Sequence, residues 1–263
     1  MKKSSSRFAL RDICVGFLEL VKIKYIRKSI NDFSILLPVK GHPLNKLFLK
    51  KDYWRDHEES PYSKKILECL EPGDCVFDIG GFLGYYTILM SNAVGSKGQV
   101  VTFEPNFQSF DTLRRTIHAN SFLNNVRLVQ TAITDTEGYV EFDLSEDESS
   151  IQMNKDIRGA VEIAATTLDA FAKKEKMNPR LIKIDVEGFE MKVLQGGKSI
   201  LSTCQYVCCE VHPKKMQRAT GHTEKELEDF LGSLGFKSFF KFRSKKSAVD
   251  STSPYNVIYK NEK

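Results

Sequence analysis

From residue 61 onward, the apolar positions of the chain fall alternately into short continuous runs and into runs with helical spacing. The continuous runs predict buried strands over residues 75–79, 99–103, 126–132, 181–186 and 206–211. The helical spacing predicts helices between them, over residues 85–93, 109–120 and 190–201. Strands that alternate with helices are typical of a mostly parallel sheet covered by helices on both faces.

Two shorter runs, residues 139–144 and 161–165, interrupt this alternation after the third predicted strand. Near the end of the chain, residues 224–234 predict a helix, and residues 236–242 and 256–259 predict a closing pair of strands. The pattern therefore predicts one α/β domain over residues 61–263, with residues 139–171 as an insertion.

The stretch VFDIGGFLGYYT, residues 76–87, joins the first predicted strand to the first predicted helix. Gly80, Gly81 and Gly84 allow a tight turn, and we expect them to let the backbone pass close to a bound molecule. A strand, a glycine turn and a helix N-terminus together commonly hold a nucleotide-like ligand. The spacing GGxxG differs from the GxGxxG of dinucleotide enzymes, so the turn alone does not identify the ligand.

Glu104 follows the second predicted strand in the stretch VVTFEP. In open α/β sheets, a carboxylate at this place accepts hydrogen bonds from the 2′ and 3′ hydroxyls of a ribose. The glycine turn and Glu104 together therefore predict an adenosine-containing ligand.

Composition limits the classes of protein that fit this pattern. A chain of 263 residues that is 41% hydrophobic and 28% charged can bury one sizeable core. Its apolar stretches are shorter than the roughly 20 residues that a membrane-spanning helix needs, and no secretory signal is predicted. The six cysteines form no CxxC pair, so we expect reduced thiols and a cytoplasmic location.

Basic residues are concentrated near the start of the chain, where residues 1–65 contain 15 lysines and arginines against 7 acidic residues. Within residues 7–30, apolar residues have helical spacing, and the basic ones cluster at the end of the segment. Residues 1–60 are therefore predicted to form a basic helical extension. Such a helix can lie on an anionic membrane surface as a peripheral contact, or it can pack on its own domain.

Several stretches of this sequence resemble the FkbM-type methyltransferases, which use S-adenosylmethionine and have the class I methyltransferase fold. These stretches are DIGGFLGYYT, VVTFEPNFQSFDTLRRTIHAN, TAITDTEG, TTLD and LIKIDVEGFEMKVLQGG with CCEVH, and they occur in the family's order over residues 70–213. The resemblance implies a Rossmann-like α/β fold, with a mostly parallel seven-stranded sheet and a C-terminal antiparallel strand. One departure is Gly81-Phe82, where the family commonly has Ala-Asn.

By position, the resemblance implies that Asp78 and Gly80 lie along the methionine part of S-adenosylmethionine and that Glu104 binds its ribose. The stretch after the third strand, with Ala132 and Asp135, is expected to border the adenine. The predicted cofactor-binding residues are Asp78, Gly80, Gly81, Gly84, Glu104, Ala132 and Asp135.

Charged residues interrupt the otherwise apolar fourth and fifth predicted strands, where they are costly unless they are paired or used. In KIDVE, Lys183, Asp185 and Glu187 alternate, so they are expected to share one face of the strand. An internal ion pair explains Lys183 best. Asp185, Glu187 and His212 are the predicted catalytic residues, because methyl transfer to a hydroxyl needs a carboxylate or a neutral imidazole that accepts the proton.

The mechanism stays open, because the carboxylate oxygens of Asp185, Glu187 and Glu210 also suit Mg²⁺, which would acidify the hydroxyl. We favour a metal-free base and predict no metal ligand. The resemblance implies an O-methyltransferase that acts on a hydroxyl of a sugar, glycan or related metabolite. Residues 143–154 form a polar stretch that is expected to fold over this acceptor.

Two other classes of protein remain as alternatives. A nicotinamide-dependent oxidoreductase would share the architecture, although the GGxxG turn and the IDVEG stretch speak against it. A nucleic-acid-binding protein is suggested by the basic N-terminal segment. Neither an aromatic platform nor a basic stripe accompanies that segment in the rest of the chain, so no nucleic-acid partner is expected.

Overall fold

The computed structural model describes residues 24–30, 33–40, 60–143, 150–151, 160–243 and 252–263. Its strands are β1 (Tyr25–Ile30), β2 (Phe33–Pro38), β3 (Cys75–Ile79), β4 (Gln99–Phe103), β5 (Val126–Val129), β6 (Ala132–Ile133), β7 (Gly138–Asp143), β8 (Ser150–Ile151), β9 (Ala160–Thr166), β10 (Leu181–Ile184), β11 (Tyr206–Val211), β12 (Phe236–Phe242) and β13 (Tyr255–Asn261). Its helices are α1 (Ser60–Glu68), α2 (Tyr85–Val94), α3 (Phe107–Ala119), α4 (Leu168–Glu175), α5 (Glu190–Gln195), α6 (Lys198–Leu201), α7 (Pro213–Thr220) and α8 (Glu224–Ser233). Within these ranges no helix has both the length and the apolar character to cross a membrane.

Seven strands form the central sheet in the order β12–β13–β11–β10–β3–β4–β5. β13 pairs antiparallel with β11 and with β12, whereas the other neighbouring strands are parallel. This confirms the predicted Rossmann-like sheet with one antiparallel strand from the C-terminal part of the chain. Because β3 lies between β10 and β4, the carboxyl ends of all three strands meet at one edge, where ligands of such sheets bind.

Both faces of the central sheet are buried, which explains why its strands read as continuous apolar runs. On one face, the rings of Phe77 and Phe103 pack edge to face with Phe171 of α4, at centroid distances of 5.8 and 4.7 Å. On the other face, Val76 and Val100 belong to a core that includes Tyr62 of α1. Packing on both faces therefore fixes the position of the carboxyl edge of the sheet.

The N-terminal segment contains a β-hairpin, which corrects part of the helix predicted over residues 7–30. β1 pairs antiparallel with β2, and Ile35 and Leu37 of β2 are buried in the domain core. The Asn120 side chain accepts a hydrogen bond from the Leu36 N–H and donates one to the Leu36 carbonyl, both at 2.8 Å. Residues 7–23 of the predicted helix lie outside the described residues.

A second sheet of four short strands, in the order β6–β9–β7–β8, forms from the predicted insertion. β7 and β9 pair antiparallel and extend over the two runs expected at residues 139–144 and 161–165. The inner face of this sheet packs Phe142 and Ala165 against Phe189, which follows β10. The small sheet therefore lies beside the carboxyl edge of the central sheet. Most of the acceptor-covering stretch predicted at residues 143–154 lies outside the described residues.

Candidate active site

The glycine turn after β3 is fixed by contacts within the protein, which give its glycines a reason beside the predicted approach to a ligand. Gly80 has φ of +83°, and a Cβ there would lie 1.8 Å from the carbonyl oxygen of Asp185. At Gly81 and Gly84, a Cβ would lie 2.1 Å from Thr102 Cγ2 and 2.3 Å from Leu113 Cδ1. The Gly80 and Gly81 N–H groups both donate to the Phe103 carbonyl. The glycines therefore make room for neighbouring parts of the chain.

Glu104 lies directly across from this turn and is buried, with 5% of its surface exposed. Its carboxylate accepts hydrogen bonds from the Phe82 N–H at 2.6 Å and from the Asn106 N–H at 2.8 Å. Burial raises the pKa of Glu104 to about 7, although the two backbone N–H groups oppose the rise. A carboxylate has about four acceptor positions, so two N–H groups leave capacity for ribose hydroxyls.

Phe82 is strained at the tip of the turn, because it has φ of +48° without being glycine. Non-glycine residues avoid this left-handed region, and Asn tolerates it better than Phe. The Phe82 ring is also 37% exposed. The turn thus keeps a left-handed backbone at the position where the resemblance implies Asn.

Two features of the turn fit the methionine end of S-adenosylmethionine. Asp78, at the end of β3, is fully buried; its Oδ2 accepts a hydrogen bond from Thr87 at 2.6 Å, and its Oδ1 has no hydrogen-bond partner among the described residues. The N-terminus of α2 begins after Gly84 and has no side-chain cap. Uncapped helix amides attract a carboxylate, and a buried orphan oxygen requires a donor. Together with Glu104, these groups fit this cofactor.

Ala132 and Asp135, which were predicted to border the adenine, have contacts within the protein. Ala132 is buried in the core that contains Phe189. The Asp135 carboxylate accepts a hydrogen bond from Lys192 of α5 at 2.7 Å. Both residues follow β5 at the carboxyl edge of the sheet, and their role towards adenine stays a prediction.

Lys183 of β10 interacts with Asp78 on the cofactor side of the site and with Asp185 on the acceptor side. Its side chain is 2% exposed, its Nζ donates to Asp185 Oδ2 at 3.0 Å, and its ammonium lies 4.5 Å from the centre of the Tyr86 ring. Burial alone would lower the pKa of Lys183, but the charges of Asp185 and Asp78 raise it. This agrees with the internal ion pair predicted from the sequence.

Asp185 and Glu187 lie in a turn, whereas the sequence predicted that both belong to the fourth strand. β10 ends at Ile184, and Glu187 has φ of +53°, followed by Gly188 with φ of +106°. A Cβ on Gly188 would lie 2.8 Å from the carbonyl carbon of Lys215, so the first turn of α7 packs directly on this turn. The alternation of side chains along a strand therefore does not place Glu187; this tight turn does.

His212 joins this turn to the end of β11. Its Nδ1 lies 2.8 Å from Glu190 Oε1, and its Nε2 lies 3.1 Å from Glu187 Oε2 and 3.8 Å from Glu210 Oε1. Burial alone would lower the pKa of His212, but its hydrogen bond to Glu190 and the surrounding carboxylates raise it to about 10. His212 is therefore an imidazolium at neutral pH, with an N–H at each ring nitrogen.

The two oxygens of the Glu187 carboxylate have different surroundings. Oε2 contacts His212 and accepts a hydrogen bond from Lys215 Nζ at 2.7 Å. Oε1 accepts no hydrogen bond from the part of the chain that the structure describes, and the side chain is 26% exposed. Glu187 is thus held through Oε2, and the described residues donate no hydrogen bond to its other oxygen.

The environments of the two predicted carboxylates move their pKa values in opposite directions. For Glu187, burial raises the pKa above its ordinary value, and His212 only partly offsets the rise. For Asp185, burial also acts to raise the pKa, but the charges of Lys183 and His212 outweigh it and the pKa is lowered. Such a pair separates one carboxylate that can accept a proton from another that stays ionised.

The predicted catalytic residues come together, with one donor atom from each of Asp185, Glu187 and His212 within 4.8 Å of the others. Three such donors could contact a divalent cation. Each of them already contacts an oppositely charged side chain, however, since Lys183 holds Asp185 and Lys215 holds Glu187. The existing ion pairs favour the metal-free interpretation.

Sequence reasoning missed two members of this cluster, namely Glu190 and Lys215, whereas it had considered Glu210 as an ion-pair partner or magnesium ligand. Glu190 stands at the start of a helix, where an acidic residue is ordinary. In the sequence, Glu190 is the second carboxylate of VEGFE, three residues after Glu187. It is also the first residue of the helix predicted over residues 190–201, so the pattern explained it as a helix residue. Lys215 lies next to another lysine, and nothing in the sequence marks it as the partner of Glu187.

A solved structure of a methylase shares this architecture. An rRNA methylase from Streptococcus thermophilus superposes with a TM-score of 0.50 at 11% sequence identity, covering 80% of this chain and 99% of that one. This likeness establishes the Rossmann-like methyltransferase fold.

The family is defined by sequence. The profile described as the Methyltransferase FkbM domain matches residues 78–238, which is more than half of the chain, and the chain belongs to this family. It is also 26% identical over 166 residues to the hexuronic acid methyltransferase AglP of Haloferax volcanii, covering 62% of this chain and 67% of that protein. The protein is therefore a methyltransferase of a family that uses S-adenosylmethionine, which speaks against the nicotinamide alternative.

Proposed function

We propose that this enzyme transfers the methyl group of S-adenosylmethionine to a hydroxyl of a sugar, with the Glu187 carboxylate as general base. The observation that carries the proposal is the asymmetry of Glu187, whose Oε2 is held by Lys215 and His212 while Oε1 is presented. Glu187 lies two residues beyond Asp185, whose carbonyl contacts the cofactor turn at Gly80. A base at this edge stands beside the expected cofactor position.

Each group then has a distinct task. When bound, S-adenosylmethionine supplies an activated methyl group. Glu187 Oε1 accepts the hydroxyl proton as the acceptor oxygen becomes a nucleophile, which contributes about 10² to 10⁴ in rate. Asp185, kept ionised by Lys183, orients the acceptor, and the cationic His212 fixes Glu187 without itself acting as the base.

A sugar acceptor is supported by the sequence similarity to a protein named hexuronic acid methyltransferase. A hexuronic acid offers two kinds of oxygen, the ring hydroxyls and the carboxylate. Methylation of the carboxylate gives an ester and needs no base, whereas methylation of a hydroxyl gives an ether and does need one. The Glu187 geometry therefore supports a hydroxyl as the acceptor.

The test is methyl transfer from labelled S-adenosylmethionine to a panel of glucuronic acid, galacturonic acid and neutral hexose glycosides. We expect a product that mild alkali does not cleave, because an ether is stable where a methyl ester is hydrolysed. Glu187→Gln should lower turnover by about 100-fold or more while affinity for S-adenosylhomocysteine is unchanged. An alkali-labile product, or full turnover in Glu187→Gln, would show that Glu187 is not a base for a hydroxyl.

The same assay separates the base from a metal-assisted reaction. We propose that a chelator leaves turnover unchanged, because Lys183 and Lys215 already neutralise the carboxylates. Loss of activity with chelator, followed by its return with Mg²⁺, would instead assign the cluster to a cation.

A further inference from the structure

Glu190 lies beneath the proposed base and is fully buried, with 0% of its surface exposed. It is the first residue of α5 and stands three positions after Glu187. It does not reach the edge at which an acceptor would bind, so it cannot touch the reacting atoms. Its position nevertheless calls for an explanation, because a buried carboxylate is costly unless it is paired.

A single oxygen of Glu190 holds two structural elements together. Oε1 accepts a hydrogen bond from the Gly188 N–H at 2.9 Å and lies 2.8 Å from His212 Nδ1. The first contact fixes the left-handed turn that carries Glu187, and the second fixes the ring at the end of β11. Both contacts therefore affect the position of the Glu187 carboxylate.

The His212 ring transmits this constraint to the proposed base. Nδ1 is hydrogen-bonded to Glu190, and Nε2 lies 3.1 Å from Glu187 Oε2. The charged groups that face the ring are Glu187, Glu190, Glu210 and Asp185, with Lys215 bound to the same Glu187 oxygen. Three side chains in series, Glu190–His212–Glu187, thus decide which oxygen of Glu187 remains available.

We propose that Glu190 is a positioning residue for methyl transfer, which acts through His212 and the Gly188 N–H to hold the Glu187 carboxylate in its productive orientation. The proposal rests on the proposed role of Glu187 as base. It assigns Glu190 no contact with the acceptor or with S-adenosylmethionine. Its effect should therefore fall on turnover and not on binding.

The kinetic test uses a double-mutant cycle of Glu190→Gln and His212→Gln in the full chain. Gln keeps an acceptor oxygen for Gly188 but loses the charge that pairs with His212. We expect Glu190→Gln to lower kcat by about tenfold or more with KM and S-adenosylhomocysteine affinity unchanged, and to have little further effect once His212 is replaced. Equal effects in both backgrounds would overturn the proposal.

A matched control is Glu175→Gln, which removes a carboxylate paired with Arg127 at 2.7 Å, away from the site. This variant should retain wild-type kcat. If it loses as much turnover as Glu190→Gln, the loss reflects general damage from a broken ion pair, and the proposal fails.

A spectroscopic measurement tests the proposal without any acceptor. In long-range proton–nitrogen spectra at neutral pH, both His212 ring nitrogens should carry protons in the wild type, and the Nδ1 signals should shift in Glu190→Gln, where this nitrogen loses its charged partner. Unchanged ring signals would overturn the role of Glu190 even if methyl transfer is confirmed. Changed ring signals in a protein that methylates no sugar would support the Glu190–His212 contact while the proposed acceptor is wrong.

Discussion

The cofactor side and the acceptor side of the site are held together by different kinds of contact. On the cofactor side, the turn after β3 is held by backbone groups, with the Gly80 and Gly81 N–H groups on the Phe103 carbonyl and Glu104 bound to two main-chain N–H groups. On the acceptor side, charged side chains hold one another, as in the series Glu190–His212–Glu187. Hydrogen bonds to the backbone therefore hold the cofactor side in place, and ion pairs between side chains hold the acceptor side.

This difference separates the consequences of substitution in the two halves. A change of shape at Gly80 on the cofactor side should damage the fold, because the added atom would meet a backbone carbonyl that cannot move independently. A change of charge at constant shape on the acceptor side should leave the fold and alter the chemistry. Gly80 and the Asp185 carbonyl mark the place where the two halves touch.

The largest effect is expected from Gly80→Ala. The new Cβ would lie 1.8 Å from the Asp185 carbonyl oxygen in a left-handed backbone, so we expect a loss of at least about 4 kcal/mol in the free energy of unfolding, or failure to fold. Denaturant unfolding measures this loss.

Gly221→Ala is the matched control, because Gly221 has a similar φ of +74° but no atom within 4 Å of the added Cβ. It should cost only about 1 kcal/mol. If the two variants lose similar stability, the contact between the halves contributes nothing beyond backbone strain.

An intermediate effect is expected at Glu104, a buried carboxylate of the cofactor side. Because the pKa of Glu104 is raised to about 7, affinity for S-adenosylhomocysteine should rise about tenfold between pH ~6 and pH ~8, as the carboxylate ionises and accepts ribose hydroxyls. The contribution of the same group to folding stability has the opposite sign and falls as pH rises from 4.5 to about 7. Calorimetric titration at several pH values measures the affinity.

Glu104→Gln is the control for this pH dependence. It should bind about 2 kcal/mol more weakly at high pH and should lose the difference between the two pH values. A pH dependence that persists in Glu104→Gln would assign it to another group.

The smallest effect is expected from Phe82→Asn, which tests whether the cofactor side stores strain. Asn adopts the left-handed backbone more easily than Phe, so the variant should gain about 0.5 to 1 kcal/mol in unfolding free energy. Thermal unfolding of the two proteins measures this difference. A variant that is less stable than the wild type would mean that the Phe82 ring packs usefully despite its exposure.

The sequence predicts the backbone-built half better than the half built from charges. β3 and β4 have the expected bounds, and the glycine turn and Glu104 lie where the strand–turn–helix pattern places them. These features are local, so a short window contains them. The contact between Glu190 and His212 joins residues 22 positions apart and depends on the packing of α5 against β11, which no window contains.

The N-terminal hairpin was missed for a related reason. Residues 7–30 have apolar positions at helical spacing, but β1 and β2 obtain their partners from each other and from Asn120, far along the chain. Contacts distant in sequence therefore decide the structure of residues 25–38. Likewise, the alternation of KIDVE suggested a strand through Glu187, whereas the chain turns after Ile184 to clear α7.

The clamp between Asn120 and Leu36 has a consequence for chimeras between members of the family. Ile35 and Leu37 are buried in the same core as Tyr62 and Val76. Residues 33–40 therefore belong to the methyltransferase domain, although they come before residue 61 in the sequence. An exchange of N-terminal segments at residue 60 would separate the hairpin from the amide that holds it. The hairpin and position 120 form one structural unit, so junctions that take both from the same parent should preserve this contact.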